Sequence, residues 1–264
     1  MKIPVLAYHA ANIAGNEYHN NDHIAFHYDL KLIKQLGVNI LSAIDLINWL
    51  YGKIILDQAQ KYVVITFDDG NELEFIDGEY PVFGFQNSFY KEMKKFDGYI
   101  HVTSFVISSP KVRRTLETTC LGGFELLGEQ WWQKAEDSKM FSIENHSWDH
   151  LHPSLNQVKQ KDNLKGDFSQ ISCLSDADAQ IEQSSLYINA RLSSKETQLF
   201  AYPFGHYNSY LIDEYLPRCQ NKIKAAFTCD AQHVTQSTNV WKVPRYVCGF
   251  NWKTIEELRS LIIR

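Results

Sequence analysis

Short apolar runs alternate with segments of helical periodicity along the whole chain, and this alternation constrains the fold more than any other feature. The runs cover residues 3–8, 38–41, 62–67, 100–107, 141–144, 199–202, 225–229 and 243–247. Each is rich in β-branched and aromatic residues and is bounded by polar or turn-forming ones, as a buried strand requires. Helical spacing marks residues 29–36, 44–51, 88–96, 176–190 and 209–216. A last helix is predicted over 254–262, where Thr254 is a good N-cap and Glu256 and Glu257 face the positive end of the helix dipole. Strand–helix alternation over the full length implies an α/β fold with a parallel sheet, open or closed into a barrel. Roughly eight strands in about 250 residues suits a barrel or a distorted relative of one. No repeat or linker divides the chain, so residues 1–264 are expected to form a single catalytic domain. Two stretches, 70–87 and 149–175, lack periodicity and read as long loops, which in a compact domain usually carry function.

Composition removes several function classes. Apolar residues make up 44% and charged residues 22% of the chain, with a net charge of −5. A nucleic-acid surface would be basic, so nucleic acid is not an expected partner. Nothing attracts the chain to an anionic membrane, and no apolar window approaches a membrane span. The first residues, Met-Lys-Ile-Pro-Val-Leu-Ala-Tyr-His, lack the longer apolar stretch of a signal peptide. The five cysteines are scattered, with no C-x-x-C, and read as reduced thiols. A cytoplasmic location is the resulting expectation. The oligomeric state is left open.

The chemistry concentrates where predicted strands end. Residues 62–67 lead into Asp68-Asp69-Gly70. Adjacent carboxylates repel unless something pairs with them, and a cation resolves the conflict by binding one and leaving the other as a base. A simple turn is the competing reading, since Asp and Gly favour turns. Residues 141–144 lead into His146-Ser147-Trp148-Asp149-His150, where the i, i+4 histidines would share one face of a helical turn. Parallel strands bring their C-terminal ends to one rim, so the two groups should meet there. Two histidines and one aspartate suit a divalent ion with open positions for water and substrate. Zinc is the first expectation, with cobalt, nickel and iron also suited to the donors. A third strand end, Tyr202-Pro203-Phe204-Gly205, forms a rigid turn able to aim an amide N–H at a developing oxyanion.

Taken in order, Thr66-Phe67-Asp68-Asp69-Gly70, His146-Ser147-x-x-His150 and Tyr202-Pro203-Phe204-Gly205 resemble the first three motifs of the polysaccharide deacetylase family. This is the NodB-homology or carbohydrate esterase 4 group, and Tyr8-His9 is also similar to its members. The resemblance implies a distorted (β/α) barrel that removes acetyl groups from N-acetyl sugars by metal-assisted hydrolysis. It implies Asp68 as general base, Asp69, His146 and His150 as metal ligands, and the Phe204 N–H as oxyanion donor. Tyr202 and Gly205 are implied beside it at the substrate, and Ser147 as a brace for the histidine loop.

The chain departs from the family pattern twice. Many members have an arginine in the third motif where this chain has Ala201; Arg245, in a late predicted strand, is the expected substitute beside Asp68. The Leu-x-His motif that supplies an acid to the leaving amine is missing. His9 is the expected alternative, and the last histidine, His233, lies in a polar loop. The partner implied is an N-acetylated sugar or glycan. Phe83, Phe85, Phe89, Trp131 and Trp132 either stack on a sugar ring or pack their loops onto the barrel. Two other functions compete: hydrolysis of a small amide or imide on the same fold, and a carbohydrate-binding relative without turnover.

Overall fold

In the computed structural model, residues 1–155, 167–193, 196–219 and 222–264 are described. Ten strands lie in chain order: β1 (Val5–Tyr8), β2 (Asn39–Ile40), β3 (Tyr62–Asp69), β4 (Gly78–Tyr80), β5 (Gly84–Gln86), β6 (Val102–Val106), β7 (Phe141–Asn145), β8 (Leu199–Ala201), β9 (Ala225–Phe227) and β10 (Tyr246–Val247). Eight of them form one parallel sheet in the order β10-β1-β3-β6-β7-β8-β9, with β2 also paired to β3. Each apolar run identified in the sequence contains one of these eight strands. The sheet is curled, and its two edges are joined by residues 243–247. Val243 bridges to Phe227 of β9, while Tyr246 and Val247 pair with Leu6 and Ala7 of β1. The predicted final strand is therefore shorter than expected, because its hydrogen bonds are divided between two edges and Pro244 has no N–H to donate.

Strand alternation separates two apolar layers. Leu6, Tyr8, Val63, Ile65 and Phe67 pack in a cluster that includes the outer helices Asp22–Gln35 and Ile255–Ile263. Val5, Val64, Phe105, Ala201, Phe227 and Val243 pack in a second cluster together with the helix Ala43–Leu50. Thr66 and Asp68 continue the row begun by Val64, and Arg245 continues that of Val243. This period of two is what brings Asp68 and Arg245 into the same interior.

Two segments differ from the sequence reading. Stretch 70–87 is not an irregular loop: it holds a one-turn helix, Glu72–Glu74, and the antiparallel hairpin β4–β5. Two helices went unrecognised, Pro110–Thr119 and Trp132–Asp137. The first has a readable start, since Ser109 caps the Val112 N–H and proline occupies the first turn. Part of the 149–175 excursion, 156–166, lies outside the described residues; beyond it are the short helices Phe168–Gln170 and Leu174–Ala177. No helix among the described residues is long and apolar enough to cross a membrane.

Candidate metal and hydrolytic site

The C-terminal ends of β3, β7 and β8 converge on one cavity of about 200 Å³, lined by His9, Asp68, Asp69, His146, His150 and Phe204 among others. Asp69 ends β3 in a left-handed conformation, φ 75°, which breaks the strand alternation and lets both carboxylates reach the rim. Gly70 follows at φ +74° against Val106, where an added Cβ would lie 2.6 Å from a methyl group. Only glycine fits there.

The histidine loop does not form the helical turn that the i, i+4 spacing suggests. Ser147, His150 and Leu151 all have positive φ, and the residues between them are turns and bends. Side-chain hydrogen bonds replace the helix. Asn145 Oδ1 accepts from the Ser147 N–H at 2.7 Å, and Ser147 Oγ accepts from the His150 N–H at 2.9 Å. Asn145 Nδ2 ties the loop to the Ile181 carbonyl and Ser185 Oγ, each at 2.8 Å. Ser147 thus braces the loop, and the two rings still meet. Five of the eight non-glycine residues at positive φ among the described residues are Asp69, Ser147, His150, Leu151 and Phe204. Such strain gathers where the surroundings over-determine a site.

Three donor atoms form a nearly equilateral triangle. His150 Nε2 lies 3.2 Å from His146 Nε2, and Asp69 Oδ1 lies 3.6 and 3.5 Å from His146 and His150. Tetrahedral donors about 2.0–2.1 Å from a zinc-like ion are separated by about 3.3–3.4 Å, so the spacing fits. Protonation fits as well. His146 Nδ1 donates to the Ala201 carbonyl at 2.9 Å, which leaves Nε2 with its lone pair. Burial, followed by the neighbouring His146, pushes the His150 pKa down to about 3, so this ring is neutral. At most one proton is then shared among three acceptor atoms, and a divalent cation supplies the positive charge they lack. Among the described residues, this is the group of three or more such side chains close enough to hold an ion.

Asp68 is buried beside the triangle and clamped by Arg245, which is fully buried. Arg245 Nη1 donates to Asp68 Oδ1 at 2.7 Å and Nη2 donates to Oδ2 at 2.8 Å. The rest of the guanidinium is also committed: Nη1 to Thr66 Oγ1 at 3.1 Å and Nε to the Thr228 carbonyl at 3.0 Å. Burial alone would raise the Asp68 pKa, but the Arg245 and His146 charges and the Arg245 hydrogen bonds outweigh it and hold the carboxyl well below its usual range. His9 Nε2 stands 3.9 Å from Asp68 Oδ2, with its side chain about a third exposed to the cavity.

The third motif contributes one residue to the cavity. Phe204, φ 56°, is at the second position of the one-turn helix Pro203–Gly205, where an amide N–H has no intrahelical acceptor. Its ring meets His150 edge-on at 4.5 Å. Tyr202 and Gly205 are not among the residues lining the cavity, which corrects the expectation that they meet substrate. The Tyr202 ring is buried in an apolar cluster and its hydroxyl donates to the Trp241 carbonyl at 2.9 Å. Gly205, φ +71°, permits close packing instead: an added Cβ would fall 2.8 Å from Cys229 Cβ. Phe89, Trp131 and Trp132 are buried in the main core and do not offer a stacking face. His233 is bonded to the Leu261 carbonyl and the Tyr246 hydroxyl and is not in the cavity lining.

Sequence reasoning missed several lining residues. His152 belongs to no motif, and its ring lies 5.9 Å from both His150 and Phe204. Cys229 follows a strand, so the strand-end rule could have found it. Ile107, Leu116, Leu121 and Leu127 form an apolar wall that depends on the unrecognised helix Pro110–Thr119.

Comparison with known proteins agrees with this geometry. Nothing among curated protein sequences matches the chain. Solved structures do. The deacetylase PplD of Streptococcus pyogenes, determined in complex with acetate, aligns with TM-score 0.68 and 21% identity over 99% of this chain and 98% of its own. A de-N-acetylase from Aggregatibacter actinomycetemcomitans aligns with TM-score 0.67 and 16% identity, covering 99% and 100% of the two chains. A polysaccharide deacetylase from Bacillus cereus gives TM-score 0.66 and 19% identity, covering 99% of this chain and 69% of its own. At these identities the likeness shows a shared fold. The family model for polysaccharide deacetylases matches residues 56–216, which contain both carboxylates, both histidines and the Phe204 turn. The chain belongs to the polysaccharide deacetylase family.

Proposed function

We propose that this protein is a divalent-metal-dependent hydrolase that removes N-acetyl groups from an amino-sugar-containing glycan or glycan precursor. The observation that carries the reading is the juxtaposition of an Asp69–His146–His150 donor triangle with a buried, arginine-clamped second carboxylate in one cavity. Asp69 Oδ1, His146 Nε2 and His150 Nε2 would hold the ion, with zinc the first candidate and cobalt, nickel or iron able to take its place. Such an ion supplies Lewis-acid polarisation of an amide carbonyl and makes water more acidic.

The chain's own residues do the rest. Asp68 is ionised throughout the working pH range, and each oxygen that accepts from Arg245 keeps a lone pair for a water proton. The same pairing makes it a weak base, so a proton taken up is readily passed on. His9, beside Asp68 and open to the cavity, is placed to deliver a proton to the leaving amine. The Phe204 N–H is the donor for the tetrahedral oxyanion. Arg245 fixes the direction of the Asp68 carboxylate rather than touching substrate.

The test is acetate release from a panel of N-acetyl sugars and simple amides, with and without a chelator. Release from the sugars is expected, lost on chelation and restored by added zinc, cobalt, nickel or ferrous iron. Release that persists undiminished after chelation would sink the metal-dependent reading.

A further inference from the structure

We infer that the chain carries a second saccharide-binding site beside the hydrolytic cavity, built between the first turns of the helix Asp22–Gln35 and the β4–β5 hairpin. It holds another sugar unit of an extended, β-linked N-acetylhexosamine chain. The inference rests on the glycan reading above and specifies its substrate as a polymer or long oligomer.

The site is a cavity of about 530 Å³, separate from the hydrolytic one, with Tyr28, Phe83, Phe85, Gln86, Asn87 and Glu92 in its lining. Two of its aromatic residues are unusually open: Phe85 is 57% exposed and Tyr28 is 49% exposed. Lys91 lies over the Phe85 ring at 5.6 Å, and the residue nonetheless keeps more than half its surface in solvent. Flat aromatic faces next to planar amides and a carboxylate are the chemistry that meets a sugar, whose C–H face stacks while its hydroxyls pair with acceptors and donors.

The polar groups are held in place. Glu92 is buried and fixed from two sides, by His27 Nδ1 at 2.7 Å and Lys95 Nζ at 2.6 Å. Gln86 Oε1 accepts from Asn21 Nδ2 at 3.0 Å, and its own Nε2 donates to the Gly84 carbonyl at 3.1 Å. The Asn87 carbonyl meets His23 Nδ1 at 2.8 Å. Charge is balanced, because Glu92 faces a lysine and a histidine, so the cavity has no net field to select a small anion or cation. A neutral, hydroxyl-rich ligand is what remains.

Topology sets this cavity at the same end of the sheet as the hydrolytic site. The helix Asp22–Gln35 follows the C-terminal end of β1, and the hairpin follows that of β3. The link is direct: His23 Nε2 meets the Ala10 carbonyl at 3.0 Å, and Asp22 Oδ2 accepts from the His9 N–H at 2.8 Å. His9 and Ala11 both line the hydrolytic cavity. A chain with one residue at the donor triangle therefore extends past His9 towards Phe85 and Tyr28.

The experiment is calorimetric titration of the full chain with N-acetylglucosamine and with a linear β-linked N-acetylglucosamine pentamer. It compares wild type with the Tyr28→Ala/Phe85→Ala double variant; both side chains are exposed, so the fold should tolerate their loss. The pentamer is expected to bind wild type at least about tenfold more tightly than the monosaccharide, the gain disappearing in the double variant. Acetate release from short substrates should be the same in both proteins. A pentamer that binds no better than the monosaccharide, or equally well to wild type and variant, overturns the inference. Absence of acetate release from every substrate would count against the deacetylase reading instead, and the binding comparison would still decide the second site.

Discussion

Arg245 and Asp68 stand 177 residues apart in the chain and meet as a two-pronged, fully buried pair at 2.7 and 2.8 Å. Removing either partner leaves the other charge stranded in the interior. Arg245→Ala is expected to destabilise the fold by about 3–5 kcal/mol, measured by denaturant unfolding. Arg245→Lys retains the charge without the planar fork, so it should recover part of the stability while turnover stays low. Full activity in the lysine variant would show that the orientation of Asp68 does not matter.

Asp68→Asn separates binding of the ion from chemistry. The variant should retain the metal content of wild type by elemental analysis and lose at least about a hundredfold in kcat. Asp69→Ala, His146→Ala and His150→Ala should each lose the metal itself. Full metal occupancy in all three would refute the donor triangle.

Gly205→Ala probes the third motif without altering any polar group. The new methyl would meet Cys229 at 2.8 Å, and the backbone is left-handed, φ +71°. A loss of about 1–3 kcal/mol is expected from overpacking. Because the strain is next to Phe204, kcat should fall more than KM rises, as for a donor that acts in the transition state. An unchanged kcat in a folded variant would argue against the Phe204 N–H.

A buried acid outside the site predicts the pH dependence of stability. Asp29 accepts hydrogen bonds from Tyr8, Tyr18 and Trp252. Burial outweighs those bonds and pushes its pKa up to about 7. The folded state therefore binds a proton that the unfolded chain releases near pH 4. This contribution is complete below about pH 4 and is lost as pH rises through 7, on the order of 4 kcal/mol in all. Asp29→Asn should flatten the stability profile between these limits; a profile identical to wild type would show that Asp29 is already ionised at pH 5.

Much of this site is legible in the sequence because it depends on strand ends. Asp68, Asp69 and His146 each lie at or just past the end of an apolar run, and a parallel sheet brings such ends together. The link between Asp68 and Arg245 is also legible, through the parity of Val64, Thr66 and Asp68 on one strand and of Val243 and Arg245 on another. Tertiary packing hides the rest. Trp131 and Trp132 read equally as sugar platforms or as core, and only the burial of residues 110–137 decides for core. The histidine spacing suggests a helical turn, but Ser147 offers the His150 N–H an alternative acceptor and the loop follows that. His152 and the leucine wall come from segments with no strand-end signal.

The joining segment at 243–247 has a consequence for when the protein becomes competent. Asp69, His146 and His150 all precede it in the chain by long intervals, so the donor triangle depends on strands that pair with near neighbours. Arg245 can reach Asp68 only once the two sheet edges have been brought together across 177 residues, the kind of distant contact that forms late because its loop-closure entropy is large. During folding, ion capture can therefore precede base orientation. A partly assembled molecule can hold its metal while remaining unable to turn over an amide.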